Sequence, residues 1–515
     1  MVGVSIEGLD DAAALDCIAL LVDRATDTRD SDLTNRALAL SEQLSARGSL
    51  AGEQELLLHY FRANAFQNKL QETAQTQTWS WEIPHFDAVI LELRRAVRHE
   101  AFASVGALRQ CQILTNLGGK LNSVGRPVEA LTHWDRAIAL DPQFAMALGN
   151  RGQGLGSYAN ALYDGGHSSL LLLSAYDCLT KASDRDARYD SRENLVWGKH
   201  FAAMAAQIAG SLNLKSARED LLREFSLGQS PAEQAYRAWA LDKRLFLSPL
   251  NDLGSYSVAA RDVLHLPSLT TGIEVADPGP PPLFGFYNQL KQEFVSARWL
   301  CFEGLTEHQA HFSDGNTHLY DTLNIPAYSL AVEKTKAAFR MAYSLFDKIA
   351  FFINDYFEVG LPEKTVNFRS VWYERKGEPK PLSSIFKDRE NWPLRGLYWL
   401  SKDIYDPSFQ EVSEPDAEGL ADLRNYLEHK YCQVHEDLGI GYSQFSTARN
   451  GSKVGFYIGR DMLETKTLHI LKKSRAALIY LSLAVHREEN VRNVKRDGKR
   501  TAFMPLSTWR ERGRL

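Results

Sequence analysis

The sequence predicts a mainly α protein in two parts: an N-terminal solenoid of helical repeats, then a C-terminal helical bundle with a small β element between its helices. Three observations predict it. A unit with small and large residues at fixed offsets begins at Cys111. Long segments on both sides place apolar residues at three- and four-residue steps. Pro280 to Pro282 cannot continue a helix and divide the two parts. At about 100 to 200 residues per domain the chain holds more than one core. The expected domains are 1–270 for the repeats, 271–283 for a Pro-rich linker and 284–515 for the bundle.

In the stretch TNLGGKLNSVGRPVEALTHWDRAIALDP, a 34-residue unit numbered from Cys111 puts Leu117 and Gly118 at positions 7 and 8. Leu121 falls at 11, Ala130 at 20, Trp134 at 24, Ala137 at 27 and Pro142 at 32. Small residues let two helices approach and aromatics fill the remaining gaps. The unit resembles the tetratricopeptide repeat family, with an aliphatic residue at position 11 where an aromatic is common. A second helix with the same spacing, at Ala175, Leu179 and Ala182, is displaced by 45 residues, and the extra residues are expected around Gly149 to Gly156 or in YDGGHSS. Upstream, ALALSEQL and ELLLHYFRANAF have helical periodicity. One repeat cannot bury its own face, so these flanking helices are read as degenerate repeats completing a solenoid, whose concave face implies a protein or peptide partner. The GNRGQGLG run follows no strand and lacks a GK[ST] ending, so it reads as helix packing and not as a phosphate loop.

In the C-terminal part, residues 328–357 read as a core helix with Ala342, Leu345, Ile349, Phe352 and Phe357 among its apolar positions, closed by Gly360 and Pro362. TVNFRSVWY, 365–373, reads as the strand. Residues 416–431 and 467–490 read as further helices.

Composition excludes several classes. Lys and Arg number 59 against 64 Asp and Glu, a net charge of −5, with 44% hydrophobic and 24% charged residues, which is ordinary globular composition. No global field draws the chain to nucleic acid, so local patches must do so. Five scattered cysteines argue against a disulfide framework or a Cys-based zinc site. No signal-like N-terminal segment and no apolar run of about 18 residues is present, so a cytoplasmic protein with no membrane partner is expected.

The chemistry-bearing pattern is Leu423-Arg424-Asn425-Tyr426-Leu427-Glu428-His429. At 100° per residue Asn425 and His429 lie about 40° apart on one helix face, and Arg424, about 140° from His429, reaches by its length. Arg424-Asn425-x3-His429, together with FRMAYSLFDKIAFFINDYF upstream, resembles the HEPN superfamily, in a bacterial subgroup fused to repeat helices. Arg94/His99 and Arg126/His133 have related spacing but no Asn after the Arg. The resemblance implies a helical-bundle ribonuclease whose active site is built from two motifs across a homodimer interface, with Arg424, Asn425 and His429 as its catalytic residues and no metal or other cofactor. A defence or toxin–antitoxin setting follows by analogy. The residues suit that chemistry: a ribose 2′-OH attacks its own phosphodiester if a base removes its proton and an acid protonates the leaving oxygen. Histidine serves either role near neutral pH, and a bidentate Arg holds the charge that develops on phosphorus-bound oxygens.

Plainer readings stand beside this one. Arg424 and Glu428 are spaced for a surface ion pair, His429 for a core histidine, and Asn425 for a solvent-facing amide. The alternatives for the whole chain are a non-catalytic dimeric adaptor that recruits partners through its repeats and a nucleotide-binding regulatory module. For an RNA substrate, residues 369–402 supply Arg369, Arg375, Lys376 and Arg395, interleaved with Trp372, Tyr373, Phe386, Trp392, Tyr398 and Trp399 as stacking candidates. At least half of these aromatics are expected in the core. The basic C-terminal stretch from Arg487 reads either as a backbone contact or as a frayed tail. A metal reading of His308, His311, Asp314 and His318 is set aside, because glycines mark turns there and no HExxH helix is present.

Overall fold

The computed structural model describes residues 4–74, 79–191, 193–271, 282–307, 309–319, 326–376, 380–412, 420–436, 455–494 and 500–502. The repeats form helices α1 (Asp11–Thr28), α2 (Ser31–Ala46), α3 (Glu53–Ala74), α4 (Phe86–Arg98), α5 (Ala107–Ser123), α6 (Pro127–Leu140), α7 (Ala145–Ala161) and α8 (Gly165–Ala182). Each packs on the next, the nearest-neighbour stacking of a solenoid. Local sequence starts these helices. Asp10 accepts from the Ala13 amide, Asp30 from Asp32 and Leu33, and Asp164 from His167, while Pro127 opens α6 where no amide donor is needed.

Inside the unit at Cys111 the small–large pairing is literal. A Cβ on Gly118 would lie 2.7 Å from Trp134 Nε1, and one on Gly154 would lie 2.4 Å from the same ring. Trp134 is buried and donates to the Thr115 carbonyl at 3.2 Å. The Gly149–Gly156 run lies wholly within α7, where Gly149 faces Phe201 and Gly152 faces Leu179. It holds no inserted loop, so of the two places expected for the extra residues this one is corrected; α8 starts at Gly165, and its added first turns, Gly165 to Leu171, include the GGHSS of the other.

After α8 come α9 (Val196–Ser211), α10 (Leu214–Leu222) and α11 (Pro231–Asp242), then strand β1 (Leu269–Thr271). The Pro-rich linker expected at 271–283 lies outside the described residues except at its ends, and Pro282 is the first residue of the next helix. The bundle consists of α12 (Pro282–Thr306), α13 (Leu330–Tyr356), α14 (Ser384–Lys387), α15 (Trp392–Tyr405), α16 (Pro407–Val412), α17 (Leu420–His429) and α18 (Arg460–Val494). Helices α12, α13 and α15 pack around α18, whose middle turns, Ala476 to Val485, are almost fully buried. A helix apolar on all sides is a central one.

The β element is elsewhere than expected. Residues 365–373 form a 3₁₀ turn and further turns with one isolated bridge, Tyr373 to Leu382. Asn367 bends the chain by accepting from the amides of Arg369 and Ser370, and Phe368, Val371 and Trp372 drop into the core at three- and four-residue steps. The strands are β2 (Tyr431–His435) and β3 (Gly455–Gly459), a parallel pair, and β4 (Arg500–Ala502), antiparallel to β1. Of the basic stretch from Arg487, residues 487–494 are the last turns of α18 and residues 500–502 are β4, paired with β1; the rest lies outside the described residues.

Solenoid and bundle meet along a buried polar seam. Asp403, on α15, accepts from Arg94 at 2.7 and 3.0 Å, from Arg126 at 2.5 Å and from Lys473 at 3.0 Å. Arg126 also grips Glu129, whose carboxylate accepts from Tyr480 at 2.9 Å. Arg475 joins Asp252 at 2.6 Å and donates to the carbonyls of Phe246 and Ser248. Backbones touch here too: Gly125 has φ +91°, and a Cβ on it would lie 1.9 Å from the Trp392 carbonyl oxygen, a rigid neighbour. Gly125→Ala is expected to lose about 3 kcal/mol or more in denaturant unfolding, since strain and clash add. An unchanged unfolding midpoint would show that the seam yields.

Candidate active site

Helix α17 is ten residues long and built to expose one side. Leu420 and Leu423 are buried and Tyr426 and Leu427 are packed against the core, while Asn425, Glu428 and His429 are exposed and Arg424 lies half-buried between the two faces. Going round the helix, Arg424, Glu428, Asn425 and His429 follow one another over about 140°. His429 stands exposed at one end of this arc and Arg424 half-buried at the other. Tyr426 stacks on Phe456 of β3, and the Lys430 ammonium sits 4.9 Å from the Tyr426 ring centre.

Arg424 is held by an aromatic ring on α13 and an amide on its own helix. Its guanidinium lies 5.9 Å from the Tyr343 ring centre and donates to Asn425 Oδ1 at 3.3 Å. No ion pair joins it to Glu428, so the simple surface-pair reading of Arg424 does not describe it. Tyr343 hydrogen-bonds Tyr405 of α15. Burial, with Tyr343 and Asp347 beside it, pushes the Tyr405 hydroxyl well above its ordinary pKa, opposed by the charge of Arg424. Tyr405 is therefore a neutral hydroxyl at physiological pH, with Asp347 and Arg424 both close enough to act on it. The resulting face offers a guanidinium, an amide and an imidazole to anything docked on it, with no hydrophobic cover over the last two.

Of the RNA-contact candidates, Arg369, Arg375 and Lys376 are exposed, and Arg375 donates to the Gly360 carbonyl. Phe368, beside Arg369, donates its amide to Asp347 Oδ1 at 3.2 Å, which ties this turn to α13. Arg395 is a correction. It is 6% exposed, donates to the backbone carbonyls of Ser80 and Ser123, and stacks 4.0 Å from the Trp79 ring centre. It fastens the solenoid to the bundle and presents nothing to a phosphate. Trp372, Phe386, Tyr398 and Trp399 are likewise fully buried, the first three forming an aromatic cluster with Trp81. They are core and not a stacking platform.

Among the described residues no group of three or more His, Cys, Asp or Glu is arranged to hold a metal ion. His308 lies outside the described residues, and His311 accepts from the Ser313 amide at the start of a short turn. The sequence reading did not single out Tyr343, Asp347, Tyr405 or Lys430. Tyr343 and Asp347 are four residues apart, a spacing that puts them on one helix face, but only the fold sets Tyr405 and Arg424 against that face.

Residues 275–488 match the family model described as LA2681-like HEPN. This part of the chain is a HEPN domain. The match runs from the Pro-rich segment into the last turns of α18, and it contains α17 with Arg424, Asn425 and His429. It does not reach the solenoid. Searches among curated proteins and among solved structures find no match to the chain. Among the described residues no helix of the HEPN domain or of the solenoid is long and apolar enough to cross a membrane.

Proposed function

We propose that the protein is a metal-independent endoribonuclease of the HEPN type, with Arg424, Asn425 and His429 as its catalytic residues. The observation that carries this reading is the exposed arc of α17, on which a braced guanidinium and an uncovered imidazole lie on one side of a single short helix inside a HEPN domain. One arc supplies one imidazole, whereas cleavage needs a base and an acid on opposite sides of the phosphate. A second copy of the chain, docked through the HEPN domain about a two-fold axis, provides the other. His429 of one copy takes the 2′-OH proton, His429 of the other protonates the leaving 5′-oxygen, and the two Arg424 side chains hold the phosphoryl oxygens as charge builds. Asn425 orients Arg424 through the contact already described. Arg369, Arg375 and Lys376 guide the strand. Residues 1–270 act as the sensing or restraining unit, by way of a protein or peptide on the solenoid, in a cytoplasmic defence or toxin–antitoxin setting.

The test is incubation of the full-length protein with end-labelled single-stranded RNA in EDTA. Cleavage with 2′,3′-cyclic phosphate ends, absent when the RNA is replaced by DNA of the same sequence, is the expected result. Cleavage that needs a divalent metal, or that leaves 5′-phosphates, contradicts the mechanism.

A further inference from the structure

Between the solenoid and the bundle lies a cavity of about 630 Å³. Arg126 and Lys473 form its floor, Arg136 and Lys472 stand exposed at its rim, and Leu117 and Leu121 give it an apolar wall. Nine Lys or Arg and five Asp or Glu line it, an excess of four positive charges in a chain whose net charge is −5. Three of these cations, Arg94, Arg126 and Lys473, share the single carboxylate of Asp403. A concave, partly desolvated wall of one sign concentrates potential and attracts the opposite charge. The volume falls within the range of about 300 to 1,000 Å³ usual for small-molecule sites.

We propose that this cavity binds a nucleoside di- or triphosphate. The cations take the phosphates, guanidinium groups being suited to phosphoryl oxygens, and the apolar wall takes the planar base. A pocket of this size, open at its rim and backed by buried residues, fits a free nucleotide better than a single strand, which needs a long track for its backbone. None of the lining residues lies on α17, so the inference stands independently of the nuclease reading. The ligand would touch both the solenoid and the helices of the bundle, and binding would tighten the seam between them.

Calorimetric titration of the full-length protein without divalent cations tests this, with ATP, AMP, inorganic pyrophosphate and a short single-stranded RNA as probes. ATP is expected to bind saturably at one site and at least about tenfold more tightly than AMP, because its added phosphates meet added cations. Arg136→Glu combined with Lys472→Glu, both on exposed side chains, is expected to weaken ATP by about a hundredfold while the unliganded thermal midpoint stays as in the parent. Lys472→Gln alone should show a smaller loss of the same sign. The proposal is overturned if ATP does not bind at millimolar concentration, if its affinity is unchanged in these variants, or if the RNA occupies the cavity and ATP does not displace it.

Discussion

Asp403→Ala is expected to destabilise the protein by about 3 to 5 kcal/mol in denaturant unfolding, the usual cost of removing one partner from a buried ion network. Three cations from two helices and a turn converge on this carboxylate: Arg94 from α4, Lys473 from α18, and Arg126 from the turn before α6. Without it they stay buried, with Glu129 the remaining carboxylate at Arg126. The acid limb of stability should follow the same group. Burial alone would raise the Asp403 pKa, but Arg126, Arg94 and Lys473 outweigh it and hold the carboxyl well below its ordinary value. A group whose folded pKa is depressed contributes fully above its unfolded pKa, about 3.9, and loses that contribution as pH falls through the folded value. The parent should therefore keep this contribution at pH 5 and lose it only below about pH 4, and Asp403→Asn should lack that part of the acid transition. Equal acid transitions in parent and variant would remove Asp403 from the account.

His429→Ala is expected to lower RNA cleavage by about 10²- to 10⁴-fold, the range for removing a general acid or base. Arg424→Ala should cost about 10²- to 10³-fold, as for loss of one group stabilising transition-state charge. Arg424→Lys should recover little, since an ammonium cannot reproduce a bidentate fork over the Tyr343 ring. The double variant should fall no further than the more damaging single one, because the groups act on one transition state. His429 is exposed, so its variant should unfold within about 0.5 kcal/mol of the parent. Wild-type cleavage in both single variants would exclude α17 as the site.

What the sequence made legible was local. The alternation of Gly118 with Trp134 follows from offsets within one repeat, and the structure turns it into a contact. The motif on α17 was carried by its resemblance to the HEPN superfamily, and its buried leucines and exposed His429 fall where a 100° step puts them. The seam was not legible, because each of its members has an ordinary local context. Asp403 is one acid on an amphipathic helix until Arg94, Arg126 and Lys473 arrive from distant parts of the chain. Arg395 and its aromatic neighbours have the composition of an RNA-binding stretch, and long-range packing against Trp79 and Trp81 makes them interior. The β-branched and aromatic residues of 365–373 suggested a strand, but the turn at Asn367 and the pull of Phe368 and Trp372 into the core override that preference.

The claim on which the account rests is that two copies of α17 act on one phosphate. The direct measurement is cleavage by dimers reassembled from mixtures of wild-type and His429→Ala chains at constant total protein. If each active site draws a histidine from both chains, activity falls as the square of the wild-type fraction; a fall in simple proportion would mean that each chain works alone, and would contradict the shared site.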